Sequence, residues 1–591
     1  MSLTAVPPGI VVLLAAVVVA LPRLDRRLGH GIGAAATLGS VAWIASLPSG
    51  RFLDVTFLGF DAVLFNVDGF SRLMGLIFAF IGGVGVIYSY STDADNRQTA
   101  FALSYVGTSL GAVFAGDWLT FVFFVELMGV ASTLLVWHYG GKAVRAGFRY
   151  ALWHGLGGSL ILAGIVWHYV EVGSFVFGAY EGIYPGIPAA LYAIGFGVNV
   201  GYVGLHVWLP DTYPRPHIAA SVFLCVYTTK TGVYGLARGF PDGHLWIAYM
   251  GGAMAVYGAF SALLQDDMRR LLSYHIESQV GYMVAGVGVG TALSTAGAFA
   301  HVFNHILYKA LLFMCAGAII YKTGEGRLKK LGGLRSEMPL TGVIFGVAAL
   351  SIAGFPGFNG FVSKGMVMTA AHHEHLNVLW YLLLLGGVGT FMSFIKFGYY
   401  AFFHGDDGSP TVEVRELSLG QKTAMGSVAA LCVIYGVYPD ALFGILPGTG
   451  ASEAHPFTTS HILEGLGLAG AGLVGFVVVK KPLSKVGRVS DIDAVYNRAI
   501  FYGTRSAVVA LTGVYAWVDS VVVEVVETGV KKRSDPSRII ARIVPWVNYS
   551  EAAEEFDDGG VRRLLRAGIG DATLIAIAVL TAVLVLLGIS L

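Results

Sequence analysis

Six ionisable side chains lie in the interior of apolar stretches, where each costs several kcal/mol unless it faces a polar interior or a partner. Glu126 sits in FVFFVELMGVAST, and nothing adjacent in sequence pairs with it. Lys230 sits in VYTTKTGVYGLAR. His301, His305 and Lys309 recur at four-residue spacing in AHVFNHILYKALLF, which sets them on one helical face with Asn304 and Tyr308 nearby. Lys364 follows the Gly/Pro-rich stretch GFPGFNGFVSK, and Lys396 lies in FMSFIKFGYY as a further intramembrane lysine. Groups of this kind at this depth can carry a proton from one to the next. Plainer roles stay open: Lys364 and Lys396 could snorkel to the headgroups, and His301 and His305 could be packing residues or metal ligands.

The elements that must hold these groups are membrane helices. Only 13% of the 591 residues are charged while 55% are hydrophobic, about half the charge density of a soluble domain. Taking runs of about 20 apolar residues as spans, sixteen are expected, the first near 3 to 21 and the last near 570 to 590. With the N-terminus outside, the odd-numbered loops are cytoplasmic. They hold Arg23, Arg26 and Arg27; Lys142, Arg145 and Arg149; Arg269 and Arg270; Lys322, Arg327, Lys329, Lys330 and Arg335; and Lys480, Lys481, Lys485 and Arg488. The mixed loop from Asp406 to Glu416 fits this alternation least.

The formal charge of +1 gives no bulk electrostatic case for nucleic acid as a partner. Cys225, Cys315 and Cys432 are isolated in apolar runs and read as buried thiols. No Walker motif, no HExxH and no dinucleotide fingerprint occurs, so no cofactor is expected on this chain. Two spans look broken, at GFGVNVGYVG before Pro210 and at GFPGFNG, residues 354 to 360. Broken helices in matching positions of two halves point to inverted repeats with ion sites near the midplane.

Taken together, Glu126, HVWLPDTYPRPHIAASVFLCVYTTKTGVYGLAR at 206 to 238, QDDMRRLLSYHIESQVGYM at 265 to 283, HVFNHILYKALLFMCAGAII at 301 to 320 and GFPGFNGFVSK at 354 to 364 resemble one family. It is that of the antiporter-like subunits shared by complex I, membrane-bound hydrogenases and Mrp-type Na+/H+ antiporters, with the D-type branch of the Mrp antiporters the nearest. The resemblance implies an all-α polytopic membrane protein of about 14 to 16 transmembrane helices, with two inverted five-helix repeats containing broken helices. Residues 1–98 would be N-terminal helices, 99–239 and 246–403 the two repeats, and 422–480 additional helices. Residues 491–567 would be an amphipathic lateral segment and linker, and 568–591 a terminal anchor. A poorly hydrophobic extra span near 500 to 518 is the alternative for the lateral segment.

The resemblance also implies roles. Glu126 matches a gating glutamate, Lys230 a relay lysine, His301, His305 and Lys309 a central hydrophilic axis, and Lys364 a terminal lysine. His206, Asp211, Arg269 and Lys396 are secondary candidates; Arg269 stands where lysine is common. One position departs from the family pattern: counting back nine residues from Trp208, where a lysine is usual, gives Asn199. The expected Glu–Lys pair then lacks its cation unless another group supplies it. The implied function is a proton-translocating subunit of a multi-subunit Na+/H+ antiporter in the cell membrane, partnered by other membrane subunits, lipid, H+ and Na+. The alternatives are a pump module of a redox complex, with any redox centre on other chains, and a degenerate scaffold.

Overall fold

The computed structural model describes residues 6–57, 59–405, 417–485 and 491–533. The chain opens with α1 (Pro8–Val19) and α2 (Arg26–Ser46), then forms a hairpin of β1 (Gly50–Phe57) and β2 (Phe60–Val67). It continues through α3 (Gly69–Tyr90), α4 (Asn96–Val113), α5 (Trp118–Trp137) and α6 (Lys142–Val172). An interrupted stretch follows: α7 (Ile187–Val200), the short α8 (Trp208–Thr212), α9 (Ile218–Leu224) and α10 (Thr228–Gly239). Next come α11 (Leu245–Leu263), α12 (Met268–Val289), α13 (Ala292–Thr323), the one-turn α14 (Leu334–Glu337), α15 (Pro339–Ala353) and α16 (Asn359–His373). The unit is completed by α17 (Asn377–Gly398), α18 (Leu419–Val437), the one-turn α19 (Asp440–Phe443) and α20 (Thr459–Lys485). A second unit begins at Ile492, and its described part is the single helix α21 (Asp493–Arg533). The expected terminal anchor at 568–591, the acidic linker and the loop from Asp406 to Glu416 lie outside the described residues.

Among the described residues, nine helices are long and apolar enough to cross a membrane. Acidic and hydroxyl residues fix where many of the helices start. Asp25, Asp95, Asp117 and Asp267 each accept a hydrogen bond from a backbone N–H three residues on, while Asp68, Thr291 and Ser418 close full capping boxes. The fold departs from the expected all-α class: residues 50–67, within the segment expected to hold only N-terminal helices, form an antiparallel pair. Val63, Phe65 and Val67 alternate inward along β2, and the Val63 N–H donates to Asp117 Oδ2 at 2.7 Å, tying the hairpin to the start of α5.

Both breaks seen in the sequence are present and are built alike. α7 ends at Gly201 (φ 79°), with the Tyr202 N–H donating to Gly197 O at 2.8 Å. α15 ends at Gly354 (φ 84°), with the Phe355 N–H donating to Leu350 O at 3.0 Å. A left-handed residue followed by this six-residue backward bond is the Schellman stop, which glycine adopts without strain. The stretch 218 to 239 holds a third break, between α9 and α10 just before Lys230.

The packing follows the glycines. Gly251 and Gly258 on α11 and Gly281 and Gly288 on α12 face each other's backbone so closely that none has room for a β-carbon. Close backbone approach of this kind supplies helix contact where lipid gives no hydrophobic drive. α13 is buried along nearly its whole length, so the polar face carrying His301 and Lys309 has protein on every side.

Candidate functional site

The first cluster joins α5, α6 and α7. Glu126 is half-buried on α5, and its carboxyl occupies the space that a side chain at Gly158 of α6 would need. Among the described residues no hydrogen bond or ion pair to Glu126 is found. One turn before Gly158, on the same face of α6, stands the buried His154, whose Nδ1 donates to Asn199 Oδ1 at 2.9 Å. Trp208 holds the end of α7 by donating from Nε1 to Val198 O at 3.0 Å, and its ring packs 4.5 Å from that of His154. The Tyr150 hydroxyl, one turn along α6 from His154, bonds Ser132 Oγ at 2.9 Å and Thr228 Oγ1 at 3.0 Å. Lys230, two residues beyond Thr228, is fully buried and donates to Cys225 O at 2.7 Å and Thr229 Oγ1 at 2.9 Å. The helix break before Lys230 therefore supplies a free carbonyl as the ammonium's acceptor.

The second cluster lies between α13, α12 and α16. His301 Nδ1 is 2.9 Å from Ser363 Oγ, and its Nε2 is 3.3 Å from the Tyr308 hydroxyl, which reaches Gln279 Oε1 at 3.4 Å. Asn304 donates to Asn359 O at 2.9 Å and so ties α13 to the start of α16. Lys364 is 5% exposed, donates to Ile352 O at 2.7 Å in the last turn of α15, and lies 4.8 Å above the Tyr282 ring. His305 and Lys309 are fully buried with no hydrogen-bond partner among the described residues. Lys309 is within electrostatic reach of both Lys230 and Lys364, so the three ammonium positions form one series.

At the first break, His206 lies 3.3 Å from Glu277 of α12 and 3.4 Å from Asp491. Burial alone would raise the Asp491 carboxyl, but bonding and charge from His206, with the Tyr257 and Tyr274 hydroxyls, hold it well below the usual carboxylate range. Glu277 and the nearby buried His275 lie inside the QDDMRRLLSYHIESQVGYM motif. Sequence reasoning passed over them, although a carboxylate and an imidazole in an apolar span were visible signals. His154, a polar residue within a span, was visible in the same way.

The remaining candidates have structural partners. Asp211 pairs with Arg149, and Arg269 donates to Pro216 O at 2.7 Å. Lys396 is 3% exposed and does not snorkel; its ammonium donates to Leu263 O at 2.8 Å and to Gln265 O at 2.5 Å, capping the carbonyl end of α11. All three thiols are buried and unpaired.

Residues 115–393 match the family described as NADH:quinone oxidoreductase/Mrp antiporter, transmembrane. That segment contains every ionisable group from Glu126 to Lys364. An uncharacterized protein of Methanocaldococcus jannaschii is 31% identical over 374 residues, covering 60% of this chain and 77% of its own length. The chain belongs to the NADH:quinone oxidoreductase/Mrp antiporter family. A second relative is a Na+/H+ antiporter subunit, of type D, from Alkalihalophilus pseudofirmus, 29% identical over 404 residues, 64% of this chain and 81% of its own. Among solved structures, a chain of the membrane-bound sulfane sulfur reductase, an archaeal respiratory membrane complex, superimposes with a TM-score of 0.68 at 27% identity, covering 82% of this chain and 85% of that one.

Proposed function

We propose that this chain is the proton-translocating subunit of a multi-subunit cation/proton antiporter, exchanging H+ against Na+ across the cell membrane. The observation that carries the reading is the series Lys230, Lys309 and Lys364, all buried, with Lys309 in electrostatic reach of the other two, beside the hydrogen-bonded run of Ser363, His301, Tyr308 and Gln279. Glu126 and His154 stand at the α5–α6 end and Lys364 at the other. A proton arriving on one lysine disfavours the proton on the next by like-charge repulsion, so loading one end drives release at the other. Lys309, without a fixed acceptor, is the member that can pass a proton either way.

In this reading residues 99–239 and 246–403 are inverted repeats, supported by the matching Schellman stops at Gly201 and Gly354. The N-terminus lies outside, and the Lys- and Arg-rich loops face the cytoplasm. At about 1.5 Å per residue the 41-residue α21 is about 60 Å long, twice the hydrocarbon thickness. Its stretch Tyr496–Glu524 is apolar enough to cross a membrane, but the full length fits a lateral element lying along partner subunits.

A second reading, a redox-driven pump module, is favoured by the likeness to the sulfane sulfur reductase chain. Membrane vesicles separate the two. A Na+ gradient imposed with no electron donor present should drive proton flux in the antiporter and none in the redox module, which should pump only on addition of its donor.

A further inference from the structure

Two cavities meet beside Lys364. The inner one, about 20 Å3, is lined by Lys364, Tyr282, His461 and Glu464, which is room for a single water molecule. The outer one is a cleft of about 400 Å3 that shares His461 and Glu464 with the first and continues to His372, His373, His455 and Glu453, four side chains exposed at the surface. The start of α20 is pressed onto α16 at this point. The His461 ring stacks on Phe361 at 4.2 Å and 13°, and it fills the space beside Gly365 so fully that a β-carbon there would collide with it. His461 Nδ1 donates to Pro456 O at 2.7 Å, which leaves Nε2 as the acceptor nitrogen. Glu464 Oε1 is buried with no hydrogen-bond partner among the described residues. A carboxylate between a buried ammonium and a surface cleft lined by imidazoles, with no Lys or Arg in that lining, is an arrangement that can pass protons.

We propose that this cleft is the outer mouth of the proton path and that Glu464 carries protons between Lys364 and the cleft. The proposal rests on the translocation reading above. The Lys364 ammonium gives its proton through one water to the Glu464 carboxylate, leaving a neutral amine and a carboxylic acid. The acid then releases the proton to His461 Nε2 or to water in the cleft and returns to carboxylate. The cleft is lined by Leu293 at the start of α13 and Ser460 at the start of α20, and those helices carry Lys322 and Lys480 toward their other ends.

The test uses the assembled complex in vesicles. Glu464→Gln, which keeps the shape and removes the titratable group, should lower Na+-dependent proton exchange about tenfold or more, with assembly on native gels unchanged; Glu464→Asp should restore most of it. Separately, His455→Cys treated with a membrane-impermeant trimethylammonium methanethiosulfonate should lose exchange when the reagent is applied from outside and keep it when applied from inside. The native thiols are buried, so the unsubstituted complex is the control. Wild-type exchange in Glu464→Gln, or block only from the inside, overturns the proposal. If the unsubstituted complex exchanges no protons, the translocation reading itself fails and the mouth falls with it.

Discussion

Buried ionisable side chains in this chain are held in two ways. Lys230, Lys364 and Lys396 each end on a backbone carbonyl freed by a helix break or helix end. Lys309 and His305 have no such anchor among the described residues. Asn199, at the position where the family resemblance implies a lysine, instead accepts from His154, which stands one turn from the glycine against which Glu126 packs. His154→Ala should therefore lower Na+-dependent exchange about as strongly as loss of Glu126, at least about tenfold, while the complex still assembles. Gly158→Ala should displace the Glu126 carboxyl and give a similar loss without altering any ionisable group. The spacing of His301, His305 and Lys309 was legible because one helix carries all three. The pairing of His154 with Asn199 was not, since it depends on where α7 stops and how α6 lies against it.

At the scale of elements, glycine does two separate jobs. Gly201 and Gly354 stop helices, and that role was legible as Gly-rich interruptions in apolar runs. Gly251, Gly258, Gly281 and Gly288 bring α11 and α12 into backbone contact, and composition alone could not say which helices they join. Gly258→Leu would drive a side chain into the Ser278 backbone. Overpacking of that kind should cost about 1–3 kcal/mol, seen as a lower melting temperature of the purified protein in detergent. The break between α9 and α10 escaped sequence reading because LCVYTTK contains neither glycine nor proline. The hairpin at 50–67 escaped because its alternating pattern lies between two spans, where a loop is the default reading.

For the whole molecule, the low charge content set the class, and the positions of the charges carry the orientation proposed for it. Two units follow one another in the chain, dividing after Asp491. Along α21, Phe501, Tyr515 and Trp517 are among many exposed apolar side chains, a surface suited to lipid or to partner helices. A chain truncated after Asp491 should still insert and resist proteolysis as a bundle, but should recover its partner subunits poorly on affinity purification. Full recovery of the partners would remove the lateral role of α21. The central claim, that protons cross along the buried line from Glu126 to Lys364, is tested most directly by Na+-dependent proton flux in everted vesicles carrying Lys309→Ala. Flux reduced by at least about a hundredfold, in a complex that assembles normally, is the predicted result; flux equal to that of the unsubstituted complex would contradict the account.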